Sequence, residues 1–402
     1  MSFILKVKRH LTASNQNYDP VKNSQFLIFI SIVLTIYSLG NAYIFLKGYN
    51  ILSPPRENKL HFTLLFILLS FTFVAAKILE SRHSSVLTDI LNIIGGFWMG
   101  FMLYAIIFLL LSDLIALILK LPGILNSSNI IIYRKWAFLL TSGIAVLLIT
   151  GGFINAILPV VTKYDIAINK KADGIKTLKI AAVSDIHLGS VIRKRSMKVL
   201  SEMLEEMKPD VIFLLGDIVD GEIGPVLRGD LLKYFTGPHT KDGLYAITGN
   251  HEFMGGADRM VPYIESKGIR VLKDEIVNLP GNIQLIGRLD RDSRRFYGKE
   301  RIPLKDLMNN IDHSKPVIVL DHQPFNLEES EEQGVDLQLS GHTHNGQMWP
   351  LNYITRKIYE VSYGYYKKGS TQYIVSSGFG LWGPRIRSGS KSEVLLINVT
   401  FN

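Results

Sequence analysis

The stretch Ala182–Ser190, which reads A-V-S-D-I-H-L-G-S, contains the arrangement that decides the fold. A run with the composition of a β-strand, Thr177–Ser184, ends directly before Asp185, and His187 follows two residues later. In open α/β sheets, ligand sites lie beyond the carboxyl ends of the strands. The stretch therefore predicts a carboxylate and an imidazole at such a sheet edge.

The same arrangement, a short apolar strand followed by oxygen or imidazole groups, recurs four more times. The predicted strands are Val211–Leu215, Leu244–Thr248, Val317–Leu320 and Val335–Ser340. The polar groups that follow them, in the same order, are Gly216-Asp217, Gly249-Asn250-His251-Glu252, His322 and Gly341-His342-Thr343-His344. One such block is weak support for a site, because a single histidine or aspartate is more often a core or capping residue. Five blocks at five strand ends predict one site where these side chains converge.

The composition is that of a protein with a membrane segment and a soluble part. The 402 residues are too many for one ordinary domain. The formal net charge is +9 without a long Lys/Arg run, which favours a membrane protein with basic flanks over a nucleic-acid-binding protein. The chain has no cysteine, which excludes disulfides, thiolate metal sites and cysteine nucleophiles.

Four apolar runs follow a polar, basic segment at residues 1–24, and each is about long enough to cross a bilayer, which takes about 20 residues. The runs are Phe26–Leu46, Leu60–Ala76, a segment within Leu91–Leu119, and Trp136–Leu158. A cleaved signal peptide fits poorly, because the first run starts late and three more follow. We therefore predict an integral, multi-pass membrane domain over residues 25–159.

Asp113 and the loop charges bear on how this domain sits in the membrane. Leu91–Leu111 already suffices to span a bilayer, so we expect Asp113 near the interface rather than in a functional position inside the membrane. Orientation follows the Lys and Arg residues of short loops. With four spans, the side that carries both termini has nine of these residues against six on the other side. This bias favours a cytoplasmic catalytic domain.

After Pro159 the composition changes to that of a soluble α/β domain. Residues 160–176 are expected to form a polar linker with an edge strand at Tyr164–Ile168, and residues 177–402 the catalytic domain. Arg193–Met207 has the periodicity of a helix, and residues 276–287 read as a β-hairpin. This order fits two mixed β-sheets packed as a sandwich and flanked by helices better than a single doubly wound sheet.

Aspartate, asparagine and histidine supply hard or borderline oxygen and nitrogen ligands. Without cysteine, they suit Mn, Fe, Zn or Co better than a structural zinc site. A carboxylate such as Asp217 can bridge two cations and offset their repulsion. Two metal ions about 3.5–4 Å apart lower the pKa of a bridging water and clamp a phosphoryl group. Hydroxide is then the nucleophile, so the predicted chemistry requires no serine or cysteine.

The five blocks resemble the pattern of the calcineurin-like metallophosphoesterase superfamily, which is D-x-H, G-D, G-N-H-E, H-x-P and G-H-x-H. The matching residues are Asp185-Ile186-His187, Gly216-Asp217, Gly249-Asn250-His251-Glu252, His322-Gln323-Pro324 and Gly341-His342-Thr343-His344. The resemblance extends from Thr177 to about Val399 and implies a β-sandwich core with a two-metal site.

The resemblance also implies a role for each matching residue. The metal ligands it implies are Asp185, His187 and His344 for the first ion, Asn250, His322 and His342 for the second, and Asp217 as the bridge. His251 is expected to contact the phosphoryl group and to protonate the leaving group. Asp217 and His251 are thus the predicted catalytic residues.

Within the superfamily, the G-N-H-E block and the multi-span N-terminus resemble the transmembrane, YkuE-type branch. Two departures from that branch stand out: Asn345 replaces a common glycine, and the usual acidic pair is present as Asp290-Arg291-Asp292. Neither departure alters a predicted ligand, so we expect them to affect the shape of the substrate site rather than metal binding.

These features predict a membrane-anchored phosphoesterase that hydrolyses phosphoester or pyrophosphate bonds, with a phospholipid or lipid-linked substrate and manganese among the candidate metals. Membrane lipids are expected partners and nucleic acid is not, and the oligomeric state is left open. The alternative is a non-catalytic membrane sensor that binds a phosphorylated ligand through a metal-filled fold. The presence of His251 disfavours the sensor, because a binding module needs no proton donor.

Overall fold

The computed structural model describes residues 20–52, 55, 58–80, 82–235 and 240–402. The chain divides into a first unit that ends at Gly151 and a second unit, Gly152–Asn402. Residues 1–19, which make up most of the basic segment predicted at the N-terminus, lie outside the described residues.

The first unit is built from long apolar helices. The helices of this part of the chain are Pro20–Leu52 (α1), Lys59–Glu80 (α2), Val86–Lys120 (α3) and Ile130–Ile157 (α4), the last of which ends in the second unit. Within the described residues, four helices are long and apolar enough to cross a membrane. The structure thus has a helix at each of the four apolar runs predicted from the sequence.

Close packing and one ion pair link the helices of the first unit. A side chain at Gly95 of α3 would lie 2.5 Å from the backbone of Phe73 in α2, so glycine allows the two helices to touch. Asp113 of α3 accepts a hydrogen bond from the hydroxyl of Tyr43 at 2.7 Å and forms an ion pair with Lys47, both in α1. The acid in the overlong third run is therefore compensated by a neighbouring helix.

Two six-stranded sheets form the framework of the second unit. Its strands are Val160–Ile168 (β1), Thr177–Val183 (β2), Val211–Leu215 (β3), Leu244–Ile247 (β4), Arg270–Leu272 (β5), Glu275–Leu279 (β6), Ile283–Gly287 (β7), Val317–Leu320 (β8), Leu337–Ser340 (β9), Gly364–Lys368 (β10), Thr371–Val375 (β11) and Glu393–Phe401 (β12). The strand orders are β1-β12-β2-β3-β4-β5 and β10-β11-β9-β8-β7-β6. Both sheets are mixed, because β12 and β6 run antiparallel to their neighbours β2 and β7.

The core lies between the two sheets, and helices cover their outer faces. Every residue of β3 and of β8 is buried, as expected for parallel strands covered on both sides. Phe213 and Ile180 of one sheet and Ile318 and Leu339 of the other belong to one buried cluster. The sandwich predicted from the order of strands and helices is confirmed.

Short helices flank the sheets, and several of them follow a strand after a short loop. They are Lys194–Met207 (α5), Gly224–Gly229 (α6), Asn250–Gly255 (α7), Ala257–Glu265 (α8), Asp292–Tyr297 (α9), Leu304–Met308 (α10), Leu327–Glu332 (α11) and Leu351–Ile358 (α12), with 3₁₀ turns at Leu231–Phe235, Pro280–Asn282 and His344–Gly346. Met197, Leu200 and Leu204 form the buried face of α5. That face has the predicted helical spacing, and α5 begins one residue after the predicted start.

The strand β1 joins the sandwich directly to α4. Only Leu158 and Pro159 separate the end of α4 from β1, which pairs in parallel with β12 from Val160 opposite Glu393 to Ile168 opposite Phe401. The segment expected to be a linker thus contributes an edge strand, as predicted, but the strand begins four residues before Tyr164. Its partner lies more than 200 residues away in the chain, so local sequence patterns do not reveal its full length.

The parallel strands determine where the predicted ligands lie. β2, β3 and β4 run parallel to one another, as do β7, β8 and β9 in the second sheet. Their carboxyl ends therefore face the same edge of each sheet, and the polar blocks follow at that edge. The two sheets bring five separate loops together there.

Candidate metal centre

The backbone at the predicted ligands is unusual. Five of the seven predicted ligands have positive φ angles between 48° and 71°: Asp185, His187, Asp217, His342 and His344. This region is uncommon for residues with a side chain and costs on the order of 1–3 kcal/mol at each position. Such strain is concentrated at functional sites, where it directs side chains to one point. The sharp turns after β2, β3 and β9 have this effect here.

One cluster consists of Asp185, His187 and His344, which are all buried. The Nε2 atoms of the two imidazoles are 3.0 Å apart, and Nε2 of His344 lies 3.5 Å from Oδ1 of Asp185. The backbone N–H of His342 donates to both carboxylate oxygens of Asp185, at 3.1 and 2.9 Å. These three side chains could hold a metal ion.

A second cluster consists of Asp217, His322 and His342. Nε2 of His322 lies 3.3 Å from Oδ2 of Asp217. The other ring nitrogen, Nδ1, lies 2.6 Å from the carbonyl oxygen of Leu215. A backbone carbonyl can only accept, so Nδ1 carries a proton and Nε2 is the ring nitrogen that faces the cluster.

Two buried polar atoms without partners show that the site fits a cation. Among the described residues, Nε2 of His322 and Oδ1 of Asn250 find no hydrogen-bond partner. Buried polar atoms are rarely left in this state, and metal binding is one of the few physical reasons for it. Both atoms belong to residues predicted as ligands of the same metal ion, and both are of the type that binds divalent metals.

Glycines in two of the predicted blocks are required because neighbouring loops approach them closely. A Cβ at Gly249 would lie 2.2 Å from Oδ1 of Asp217, and one at Gly341 would lie 1.6 Å from the hydroxyl of Ser184 and 2.4 Å from Oδ2 of Asp185. Any other residue at either position would displace a carboxylate of the site. The glycines thus let neighbouring loops pack against the acidic ligands.

Charges in the site favour the presence of cations. Burial alone would raise the pKa of Asp217, but the neighbouring His322 and His251 hold it well below its usual range. Conversely, burial opposes protonation of His322, yet the carboxylate of Asp217 raises its pKa well above the usual value. Burial and the neighbouring His322 lower the pKa of His342 to about 4, so His342 is neutral at pH 7. A neutral imidazole is the form that binds a metal ion.

Asp220 is part of the site but was not among the predicted residues. Its Oδ1 lies 3.0 Å from Nδ1 of His251 and 3.5 Å from Nδ1 of His187. It therefore orients the imidazole of His187, a predicted metal ligand, and that of His251, the predicted proton donor. Burial opposes protonation of His251, but Asp217 and Asp220 raise its pKa to about 9. The signal available in the sequence was the spacing, since Asp220 follows Asp217 by three residues.

Glu252 holds the loops that follow β3 and β4 together. Its carboxylate accepts hydrogen bonds from the backbone N–H groups of Asp217 at 3.0 Å, Val219 at 2.9 Å and Gly249 at 2.7 Å. The backbone N–H of His251 in turn donates to Oδ1 of Asp217 at 2.8 Å. The glutamate of the G-N-H-E block is thus a structural support for the ligand loops rather than a ligand.

A buried arginine contacts His344, a member of the first cluster. Arg387 is fully buried, and its guanidinium donates to the carbonyl oxygens of Gly378 at 3.0 Å and Gly380 at 2.6 Å. The same nitrogen, Nη2, lies 3.3 Å from Nδ1 of His344. The contact fixes the orientation of the His344 ring, with Nε2 toward Asp185 and His187.

The loop that carries Arg387 is attached to the end of α4, within the second unit. The backbone N–H of Arg387 donates to the carbonyl oxygen of Gly152 at 2.9 Å. The side-chain amide of Asn155 donates to the carbonyl oxygens of Arg387 and Ser390, both at 2.8 Å. The last turns of a candidate membrane-spanning helix are therefore bonded to a residue that contacts a predicted metal ligand.

The two departures from the family pattern lie beside the ligands. Asp290 is buried and accepts hydrogen bonds from the amide of Gln323 at 3.1 and 3.0 Å. Burial raises its pKa to about 6. Asn345 is also buried, and its backbone N–H donates to the hydroxyl of Thr343 at 3.1 Å.

Comparison with known proteins relates the chain to metallophosphoesterases. Residues 178–346 match the calcineurin-like phosphoesterase family. An uncharacterized metallophosphoesterase of Campylobacter jejuni is 30% identical over 383 residues, which cover 93% of this chain and 98% of that protein. One of Aquifex aeolicus is 32% identical over 259 residues, 64% of this chain and 97% of that protein. A Bos taurus protein described as a transmembrane protein with metallophosphoesterase domain is 28% identical over 262 residues, 60% of this chain and 58% of that protein.

Proposed function

The chain belongs to the calcineurin-like metallophosphoesterases, and from that premise we propose that it is a membrane-anchored phosphoesterase with a two-metal centre and a lipid or lipid-linked substrate. Metal-dependent hydrolysis of phosphoesters is the activity of this class of enzyme. The observation that carries the proposal is the meeting of two ligand clusters at one sheet edge. That edge belongs to a unit which continues directly from a helix able to cross a membrane.

Each cluster provides ligands for one divalent ion. Asp185, His187 and His344 of the first cluster would hold the first ion. His322 and His342 of the second cluster, together with Asn250, would hold the second. Metal ions bound there would activate water and polarise the phosphoryl group. The donor set of carboxylate, amide and imidazole suits Mn, Fe, Zn or Co, and manganese is our first choice for testing.

Asp217 would share its charge between the two ions. Its Oδ2 lies 3.3 Å from Nε2 of His322 and 3.8 Å from Nε2 of His187, one ligand from each cluster. Its other oxygen, Oδ1, accepts the backbone N–H of His251. The carboxylate is therefore held in place from one side and faces both clusters from the other.

His251 would donate the proton to the leaving oxygen. Its Nδ1 faces Asp220 at 3.0 Å, which leaves Nε2 as the atom available to substrate. Burial opposes the charged form, but Asp217 and Asp220 raise its pKa to about 9, so the ring carries a proton at neutral pH. A general acid must be protonated when the substrate arrives.

The attachment of the catalytic unit to α4 supports a substrate that stays in the bilayer. Two residues separate the helix from β1, and Asn155 binds the loop that carries Arg387. Such an attachment limits how far the active site can move from the headgroup layer, and it raises the effective concentration of a membrane-held substrate. The bias of Lys and Arg residues supports a multi-pass arrangement with this unit in the cytoplasm.

The test is a comparison of substrates with the full-length protein loaded with manganese. Release of phosphate or alcohol is measured for anionic and zwitterionic phospholipids in vesicles, and for the matching water-soluble glycerophosphodiesters. We expect a higher kcat/KM for the vesicle substrates. Equal or better turnover of the soluble compounds would refute a lipid substrate. Absence of turnover on every substrate, with metals bound and a phosphorylated ligand retained, would favour the sensor.

A further inference from the structure

A pocket lies in the Gly152–Asn402 unit, at the end of α4. Among its lining residues are Ile157, Ile192, Arg195, Val199, Phe379 and Arg385. The enclosed space is about 30 Å³, and the pocket is partly open to solvent. None of its lining residues is a predicted metal ligand or His251, so the pocket is separate from the metal centre.

Arg195 and Arg385 line this pocket, and within the described part of the chain no acidic side chain forms an ion pair with either of them. Arg385 is partly buried, and its Nε is buried without a hydrogen-bond partner among the described residues. Burial and the neighbouring positive charge of Arg195 lower the pKa of Arg385. Two like charges in a partly desolvated pocket are unfavourable unless an anion compensates them.

The first turn of α5 forms one wall of the pocket and adds positive potential. Arg195 and Ser196 lie in this turn. The N-terminal end of a helix carries partial positive charge and favours anions. The two guanidinium groups, the hydroxyl and the helix end all suit a phosphate group.

The remaining walls and their surroundings are apolar and lie where a bilayer surface is expected. The guanidinium of Arg385 lies over the ring of Phe153 in α4, 5.7 Å from its centroid. Trp382, in the same loop as Arg385, is 60% exposed, and Leu158 just after α4 is 61% exposed. Tryptophan and arginine next to the end of a membrane-spanning helix are typical of the headgroup region. A soluble anion would need no such apolar border.

We propose that the pocket between Arg195 and Arg385 binds the phosphate group of an anionic phospholipid as a resident ligand, at a site separate from the metal centre. The phosphate lies between the two guanidinium groups at the start of α5, and the glycerol part of the lipid contacts Ile157 and Phe379. The assignment does not depend on the proposed substrate, because it concerns lipid retention and not turnover.

The test measures lipid retention by the purified full-length protein. Native mass spectrometry in detergent compares titrations with phosphatidylglycerol and phosphatidylcholine for the wild type and for Arg195→Gln/Arg385→Gln. One basic side chain near an anionic membrane surface contributes about fivefold in affinity, so we expect the double variant to bind phosphatidylglycerol roughly 25-fold more weakly. Binding of phosphatidylcholine should change little. Equal retention of phosphatidylglycerol by wild type and double variant would overturn the proposal.

A matched control removes the same charge elsewhere. Lys198 and Arg294 have side chains that are 72% and 76% exposed and are paired only with surface acids. The variant Lys198→Gln/Arg294→Gln should bind phosphatidylglycerol like the wild type. A loss as large as that of the pocket variant would show a general effect of charge and would overturn the pocket assignment.

Two further measurements keep the test decisive. Arg195 is exposed, so Arg195→Gln alone should fold with an unchanged melting temperature and bind about fivefold more weakly; unchanged binding by this variant would contradict the proposal. Inorganic phosphate and glycerol phosphate are added as competitors to the wild type at up to tenfold excess over lipid. A higher affinity for the lipid than for either competitor supports a headgroup site, whereas equal affinity for inorganic phosphate and lipid would assign the pocket to a free phosphate and refute the lipid.

Discussion

Two regions of the second unit hold the candidate metal centre in different ways. In the ligand region, each side chain follows a strand within a few residues, as Asp185 follows β2 and His322 follows β8. In the support region, Arg387 reaches His344 from a loop that is bonded to Asn155 of α4. The position of each side chain in the ligand region depends on the strand just before it in the sequence. The support region depends on contacts between parts of the chain more than 200 residues apart.

The comparison separates what binds metal from what positions the ligands. Loss of a group in the ligand region removes charge or a donor atom at the metal ion itself. Loss of a group in the support region leaves every ligand present and changes only its orientation and protonation. The expected losses of metal affinity and activity are therefore largest for the ligand region, smaller for Arg387 and smallest for Asn155 at the end of α4.

The largest effect is expected for Asp217→Asn. The change keeps the shape of the side chain but removes the charge that faces both clusters, so metal content should fall and activity should drop by roughly 10³-fold or more. Metal content by elemental analysis and turnover of a nitrophenyl phosphodiester measure the two effects. Asp165→Asn, at an exposed position of β1, is the control and should behave like the wild type. Near-normal turnover with both ions retained would rule out the shared position of Asp217.

His251→Ala tests the difference between binding metal and transferring a proton. The variant should keep its metal ions and lose roughly 10²–10⁴-fold in kcat, the usual scale for general acid catalysis. The loss should shrink for substrates with good leaving groups, since these need little protonation. A series of aryl phosphodiesters with different leaving-group pKa values measures this dependence. A loss of equal size across the series would show that His251 only positions the substrate.

Much of the ligand region was predictable because it depends on local order. The five blocks lie at the ends of strands that hydrophobic patterning predicted within two residues, and parallel strands bring such ends to one edge. Asp220 lies only three residues after the predicted ligand Asp217. A single acidic residue in a loop, however, has no sequence pattern that distinguishes a site residue from a solvated one. The sandwich followed from the alternation of strands and helices.

The support region was not predictable, because no local pattern encodes it. Arg387 and Asn155 are separated by 232 residues, and a basic loop residue is usually solvated. Burial of Arg387 becomes visible only when β12 returns to pair with β1 and β2. The short strands β5 and β10 were missed for a related reason, since β5 has three residues and β10 is mostly polar and exposed.

Arg387→Met tests the support region directly. The substitution keeps an apolar stem of similar length but removes the donors to His344, Gly378 and Gly380. Loss of such a positioning group typically costs about 10- to 100-fold in metal affinity or activity. Metal titration followed by calorimetry measures the affinity. Arg387→Lys should recover part of it, since one donor remains.

A second buried arginine provides the control for this substitution. Arg288 is 2% exposed and donates to Asp274 and to the carbonyl oxygen of Ile302, away from the predicted ligands. Arg288→Met should lower the melting temperature and leave the metal affinity of the folded protein unchanged. If both variants lose stability and neither loses affinity, Arg387 supports the fold and does not position His344.

The smallest effect is expected for Asn155→Ala, at the junction of α4 with the loop of Arg387. The half-buried amide donates two hydrogen bonds, each worth about 0.5–1.5 kcal/mol, so unfolding of the second unit should become easier by roughly 1–3 kcal/mol. The backbone bond between Arg387 and Gly152 remains, so the arginine keeps one attachment. We therefore expect less than about a tenfold loss in metal affinity, below that of Arg387→Met.

The control for this last prediction is Asn398→Ala, which removes an exposed side-chain hydrogen bond to Asp165 in the pairing of β12 with β1. It should change stability by less than about 0.5 kcal/mol, as is usual for exposed positions, and leave metal affinity untouched. A combined Asn155→Ala/Arg387→Met variant then measures the link. If Asn155 acts through Arg387, the metal affinity of the double variant should equal that of Arg387→Met, because residues that act through one another are not additive. Additive losses in metal affinity would show that Asn155 affects the metal centre through contacts that do not involve Arg387.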